Sequence, residues 1–65
     1  MYLCKIENTH DHSTAFLSTP YHYAHNDIVY PHPDYHPQLA GHESNRWRVL
    51  ACVEDNDELR RRFEQ

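Results

Sequence analysis

Alternating apolar and polar residues predict one strand near each end of the chain. Over residues 2 to 7, Tyr2, Cys4 and Ile6 share one face, while a lysine and a glutamate share the other, which is typical of a strand with one solvated face. Residues 46 to 54 alternate more strongly and carry apolar side chains on both faces. We therefore expect this second strand in the centre of a sheet.

Two shorter strands are predicted between these. Residues 8 to 13 are turn formers, and the β-like run at residues 14 to 18 completes a hairpin whose loose loop carries His10 and His12. The β-branched pair within residues 27 to 30 indicates a brief strand that ends at the following proline.

A capped helix is predicted after the last strand. Asp55 as N-cap and Glu58 three residues later resemble a capping box, and the arginines at 60 to 62 complement the negative end of the helix dipole. Leu59 and Phe63 form a narrow apolar stripe at i, i+4. Because so short a helix is marginal alone, it must pack on the sheet.

The region between the strands has its own composition. Residues 10 to 42 hold all seven histidines, all four prolines and four of the five tyrosines, whereas every lysine and arginine lies outside this region. The predicted fold is therefore a single small α+β domain over residues 1 to 65. It has an antiparallel sheet of three or four strands, a C-terminal helix packed on one face and an irregular middle segment rich in His, Tyr and Pro.

Local signals in the middle segment predict turns and not long elements. Thr19 followed by Pro20 resembles an N-cap with proline at the first helical position, which predicts a short helical turn over residues 20 to 25. Residues 31 to 37 contain three prolines and are expected to be extended or turn-like and to lie on the surface. Residues 37 to 41 predict one helical turn that ends at the single glycine.

Length and composition limit the possible functions. Leu, Ile, Val and Phe account for 12 of 65 residues, so the core is thin and we expect a dimer, a partner or a metal to support it. One glycine excludes the phosphate-binding loops of nucleotide enzymes. The chain has no long apolar run and no basic leader, which predicts a cytoplasmic protein that neither spans a membrane nor is secreted. Two cysteines are too few for a disulfide scaffold, and both are expected to be buried.

The histidines have the spacing of possible metal ligands. On a helix, positions i and i+3 share a face, so His22 and His25 could donate two nitrogens to zinc or another divalent transition metal. The pairs His10 with His12 and His32 with His36 are spaced similarly. No Cys-x-x-Cys pair or other complete motif accompanies them, so the metal-binding hypothesis stays an alternative.

Tyrosines interleaved with these histidines indicate an interaction surface, because tyrosine is enriched at protein interfaces. The candidate binding residues are Tyr21, His22, Tyr23, Tyr30, Tyr35 and His36. We expect Tyr23 and Tyr30 to lie toward the core, and Tyr21 and Tyr35 to be displayed to solvent.

Two other functional classes are disfavoured. The net charge is −4 at pH 7, and the acidic residues around the arginines of the C-terminal third outnumber them, which argues against nucleic-acid binding. Enzymatic activity is not expected. A cysteine or serine near a histidine could be a nucleophile with its base, but seven histidines make such proximity common by chance. A chain of this length also has little room for a pocket that excludes water.

The sequence thus predicts a non-catalytic binding protein that acts by protein–protein interaction through its Tyr/His-rich segment. Small, acidic, motif-poor chains of this kind are common among accessory and inhibitory factors, including those that phages and mobile elements encode. A homodimer would complete the thin core. The alternative hypothesis is a His-rich module that binds a metal or is stabilised by one.

Overall fold

A four-stranded antiparallel sheet and one helix form the fold in the computed structural model, which describes residues 1–32 and 34–64. The elements, in chain order, are β1 (Tyr2–Asn8), β2 (Thr14–Thr19), β3 (Ile28–Val29), a 3-10 turn (Pro37–Leu39), β4 (Trp47–Glu54) and α1 (Asp57–Glu64). The spatial order of the strands is β2-β1-β4-β3, so β1 and β4 are central. The predicted small α+β fold is confirmed, including the central position of the last strand.

The two central strands are interrupted by a β-bulge. Lys5 pairs with Ala51, but the next residue of β1, Ile6, pairs with Val49, so Leu50 is an extra residue on β4. The register on either side of the bulge keeps Cys4 and Ile6 of β1 on the same face as Val49 and Cys52 of β4.

This face, which we name the core face, carries most of the buried apolar side chains. The buried cluster consists of Cys4, Ile6, Leu17, Val29, Leu39, Trp47 and Val49, and Tyr23 packs against it. The opposite face is covered by α1, where Phe16 of β2 contacts Phe63 edge to face with ring centroids 5.6 Å apart. The helix therefore leaves the core face to be covered by residues of the irregular middle segment.

The helical turn predicted over residues 20 to 25 is absent. Thr19 Oγ1 accepts the Tyr21 N–H in a tight local turn, and Asp27 Oδ2 accepts the Ala24 N–H at 2.8 Å. Asn26 has a left-handed φ of 71° and donates its N–H to the Val49 carbonyl. These contacts satisfy backbone N–H groups that a helix would have paired internally, and the bond from Asn26 attaches the segment to β4.

The proline-rich stretch forms turns at the surface, as predicted, and of its described residues Pro31 alone is buried. The carbonyl of His32 accepts the N–H groups of Tyr35 and His36. The predicted turn over residues 37 to 41 is present as 3-10 helix, and Gly41 follows it with a φ of +89°. Pro33 lies outside the described residues.

The helix cap is displaced by one residue from the predicted position. Asn56, and not Asp55, is the cap, because its Oδ1 accepts the Leu59 N–H at 2.9 Å. Asp55 lies 3.9 Å from the Arg60 guanidinium. Among the described residues no helix is both long and apolar enough to cross a membrane.

Asn8 joins the β1–β2 hairpin to the loop that precedes β4. Its fully buried side chain accepts the N–H groups of His10 and Asp11 through Oδ1 and donates through Nδ2 to the Ser44 carbonyl at 2.7 Å. One amide thus satisfies three backbone groups from two loops.

Substitution of Asn8 by Ala should destabilise the fold, because it removes all three of these hydrogen bonds. We expect a loss of about 2 kcal/mol in the free energy of unfolding, measured by urea denaturation. The matched control is Asn45→Ala at an exposed position of the neighbouring loop, which should change the value by less than about 0.5 kcal/mol. Equal effects of the two substitutions would contradict this role of Asn8.

Candidate functional site

The larger of the two cavities described here is a groove of about 320 Å³ between the two edges of the sheet. We name it the Tyr/His groove. Its lining residues are Leu17, Ser18, Thr19, Pro20, Tyr21, Tyr23, Val29, Tyr30, Pro31, His32 and His36.

Curling of the sheet creates this groove. β2 and β3 are the outermost strands, yet residues at the end of β2 and at the end of β3 line the same cavity. The sheet therefore bends until its two edges face each other across an opening. Tyr23 lies on the floor, where it packs against the buried cluster of the core face.

The rim of the groove displays tyrosine rings. Tyr21 is 65% exposed and Tyr30 is 67% exposed, and the ring of Tyr21 contacts that of Tyr23 at 6.2 Å between centroids. None of the described lining residues is Lys, Arg, Asp or Glu. The surface of the groove is thus aromatic and carries no fixed charge.

The structure brings four of the six predicted binding residues together. Tyr21, Tyr23, Tyr30 and His36 line the groove. Tyr35 is 81% exposed and lies outside the lining, with its ring against that of His32 at 5.6 Å. The displayed positions of Tyr21 and Tyr35 are confirmed, and Tyr23 is half-buried as expected.

The expectation that Tyr30 lies toward the core is wrong. Tyr30 follows the two-residue strand β3, in which Val29 is buried. Because side chains alternate along an extended chain, the next side chain is directed away from the core. The contribution of β2 to the groove was not predicted from the sequence, because it depends on curling of the sheet, which local patterns do not show.

His22 and His25, the candidate metal ligands, have separate structural contacts. The His22 ring packs edge to face on Tyr2, with centroids 5.0 Å apart. His25 Nδ1–H donates to the Leu50 carbonyl at 2.7 Å. Leu50 is the residue of β4 that the β-bulge leaves without a partner on β1. No group of three or more His, Cys, Asp or Glu side chains in residues 1–32 and 34–64 is arranged to hold a metal ion.

The second cavity, of about 230 Å³, has a different chemistry. It is lined by Glu7, Thr9, His12 and Arg48, and its cation and anion already pair, with Arg48 Nη2 2.7 Å from Glu7 Oε1. A ligand here would have to compete with this ion pair. The Tyr/His groove imposes no such competition, so it is the stronger candidate for a binding site.

Away from the groove, a histidine and a carboxylate connect the hairpin loop to the loop before β4. His42 Nδ1 lies 2.7 Å from Asp11 Oδ2, and the His42 ring packs edge to face on Trp47 with centroids 4.9 Å apart. The hydrogen bond from His42, together with those from Ser13, lowers the pKa of Asp11 from 3.8 to about 2. This contact joins the two loops at the Trp47 end of the sheet.

Comparison with known proteins gives no match: no protein family, no curated protein sequence and no solved structure matches this chain significantly.

The Asp11–His42 contact predicts a pH dependence with a defined sign. Because the pKa of Asp11 is lower in the folded state than its ordinary 3.8, ionised Asp11 stabilises the fold above pH 3.8, and this contribution is lost as the pH falls toward 2. NMR titration of the carboxyl carbon should give a pKa near 2 in the wild type, and His42→Ala should raise it. His12→Ala, in the same loop, is the control and should leave it in place. An unchanged titration in His42→Ala would contradict the assigned cause.

Proposed function

We propose that this chain is a non-catalytic binding protein whose Tyr/His groove receives an extended, uncharged segment of another protein. The observation that supports this most strongly is the pair of rim tyrosines, Tyr21 and Tyr30, which are about two-thirds exposed beside an uncharged groove. Such rings supply a large apolar area and a terminal hydroxyl at a low cost in side-chain entropy.

The edge strand β2 supports an extended conformation for the bound segment. All six residues of β2 are uncharged and none is proline, although natural edge strands are usually protected by lysine, proline or a bulge. In the described part of the chain no strand pairs with its outer edge. Its outward N–H and C=O groups are available to hydrogen bond an added strand.

The lining of the groove favours apolar side chains in the partner. A strand added at β2 would place alternate side chains against Tyr21, Tyr23 and Pro31. Aliphatic or proline side chains bury apolar area there, whereas a charged side chain would lose water without gaining a counter-charge. His32 and His36 add polar groups that can hydrogen bond the partner at one side.

A second copy of this chain is the competing occupant of the same edge, and it would give the homodimer expected from the thin core. We place the interaction in the reducing cytoplasm, where the thiol forms of Cys4 and Cys52 predominate. Sedimentation of the purified chain separates the two occupants, because self-association through β2 would depend on the concentration of this chain alone.

The proposal is tested by selecting binders from a phage-displayed library of random linear peptides on the immobilised wild-type chain. Enriched peptides should share uncharged, alternating apolar residues. Tyr21→Ala combined with Tyr30→Ala should weaken their binding at least about 30-fold, measured by isothermal titration calorimetry, since two interface tyrosines together contribute roughly 2 kcal/mol or more.

Two control variants define the result. Tyr21→Phe combined with Tyr30→Phe retains the rings and should keep most of the affinity, and Glu58→Ala on the exposed side of α1 should keep all of it. The proposal fails if no peptide is enriched, or if the enriched peptides bind the double alanine variant as tightly as the wild type.

A further inference from the structure

The only two cysteines of the chain face each other across the central strands. Cys4 of β1 and Cys52 of β4 are direct partners in the antiparallel register. Cys4 is fully buried, as predicted from the sequence, whereas Cys52 is only half-buried and is therefore reachable from solvent.

The geometry of this pair suits a covalent bond. Directly opposed residues of antiparallel strands have Cα atoms about 4.5 to 5.5 Å apart, and disulfides form when this distance is about 4.4 to 6.8 Å. The two thiols are already close enough to hydrogen bond each other. No strand has to move for the sulfur atoms to join.

We propose that Cys4 and Cys52 form a disulfide modification site, which low-molecular-weight disulfides such as oxidised glutathione close by thiol–disulfide exchange. The Cys52 thiolate attacks one sulfur of oxidised glutathione, breaks its S–S bond and releases one reduced glutathione. Cys4 then attacks the Cys52 sulfur of the mixed disulfide and releases the second. The protein thiols lose two electrons and two protons, and both are recovered in the two glutathione thiols.

The order of the two steps follows from the surroundings of each sulfur. Cys52 reacts first because it is the accessible thiol. Burial, together with the neighbouring Cys52 thiol, raises the pKa of Cys4 to about 12, so few Cys4 thiolates are present and the closing step is slow. Incubation for hours at mildly alkaline pH is therefore appropriate.

The site lies directly beneath the Tyr/His groove. The Tyr23 backbone hydrogen bonds the Cys4 sulfur, and Tyr23 forms the floor of the groove. Closing the disulfide replaces the thiol that Tyr23 contacts, so oxidation should alter the Tyr23 backbone. The inference does not depend on the proposed function, because the chemistry requires no binding partner.

The test treats the folded, full-length chain with oxidised glutathione and then blocks remaining thiols with iodoacetamide. Mass spectrometry of the intact chain should show the loss of two hydrogen atoms and no alkylation, and proteolysis should yield one cross-linked peptide pair that contains Cys4 and Cys52. The melting temperature should rise by about 10 °C or more and return on reduction. In NMR spectra the Tyr23 amide should shift between the reduced and oxidised forms.

The matched control is the double variant Cys52→Ala, Ala51→Cys. It keeps two cysteines but moves the second one residue along β4, opposite Lys5 and on the other face of the sheet. This variant should accumulate only glutathione adducts. The inference is overturned if the wild type also stops at an adduct, stays reduced, or forms the cross-link only in urea. A cross-linked wild type with an unmoved Tyr23 amide would overturn the link to the groove.

Discussion

The fold has to cover its core face around Trp47, and the path of the middle segment follows from this constraint. Helix α1 packs on the opposite face through Phe63, so it cannot shield Ile6 and Val49 from water. The residues that do so, Val29 and Leu39, belong to the irregular middle segment. A chain with few aliphatic residues thus uses loops, turns and a two-residue strand where a larger domain would place a second helix.

This constraint also explains where the groove lies. The middle segment crosses from β2 to the far edge beside β4, and its inner side chains fill the core while its outer side chains remain at the surface. Tyr23 contacts the core, and Tyr21 and Tyr30 on either side of it are exposed. The inner side of the middle segment thus contributes to the core, and its outer side contributes to the groove. The contact of His25 with the bulge carbonyl of Leu50 holds that segment in place, which gives one of the seven histidines a structural role.

Local sequence patterns were sufficient for the regular elements but not for the site. Period-two alternation predicted β1 and β4, and β-like or β-branched runs predicted β2 and β3. Each of these signals lies within one short run, and the helix was predicted for the same reason. The predicted cap, Asp55, is one residue before the observed cap, Asn56. The sequence did not distinguish them, because either side chain can accept a hydrogen bond at the start of a helix. Leu17 lines the groove only because the sheet curls, and the bulge that positions His25 arises from the register between two distant strands. No local pattern encodes either.

The groove is preformed, because the segment that builds it is part of the folded core. Native-state hydrogen exchange of the Asn26 amide tests this directly, since that N–H donates to the Val49 carbonyl of β4 at 2.8 Å. We expect Asn26 to exchange with an opening free energy within about 1 kcal/mol of the slowest amides of β1 and β4. Exchange that is about a hundredfold faster or more would show that the segment opens on its own and would contradict a preformed groove.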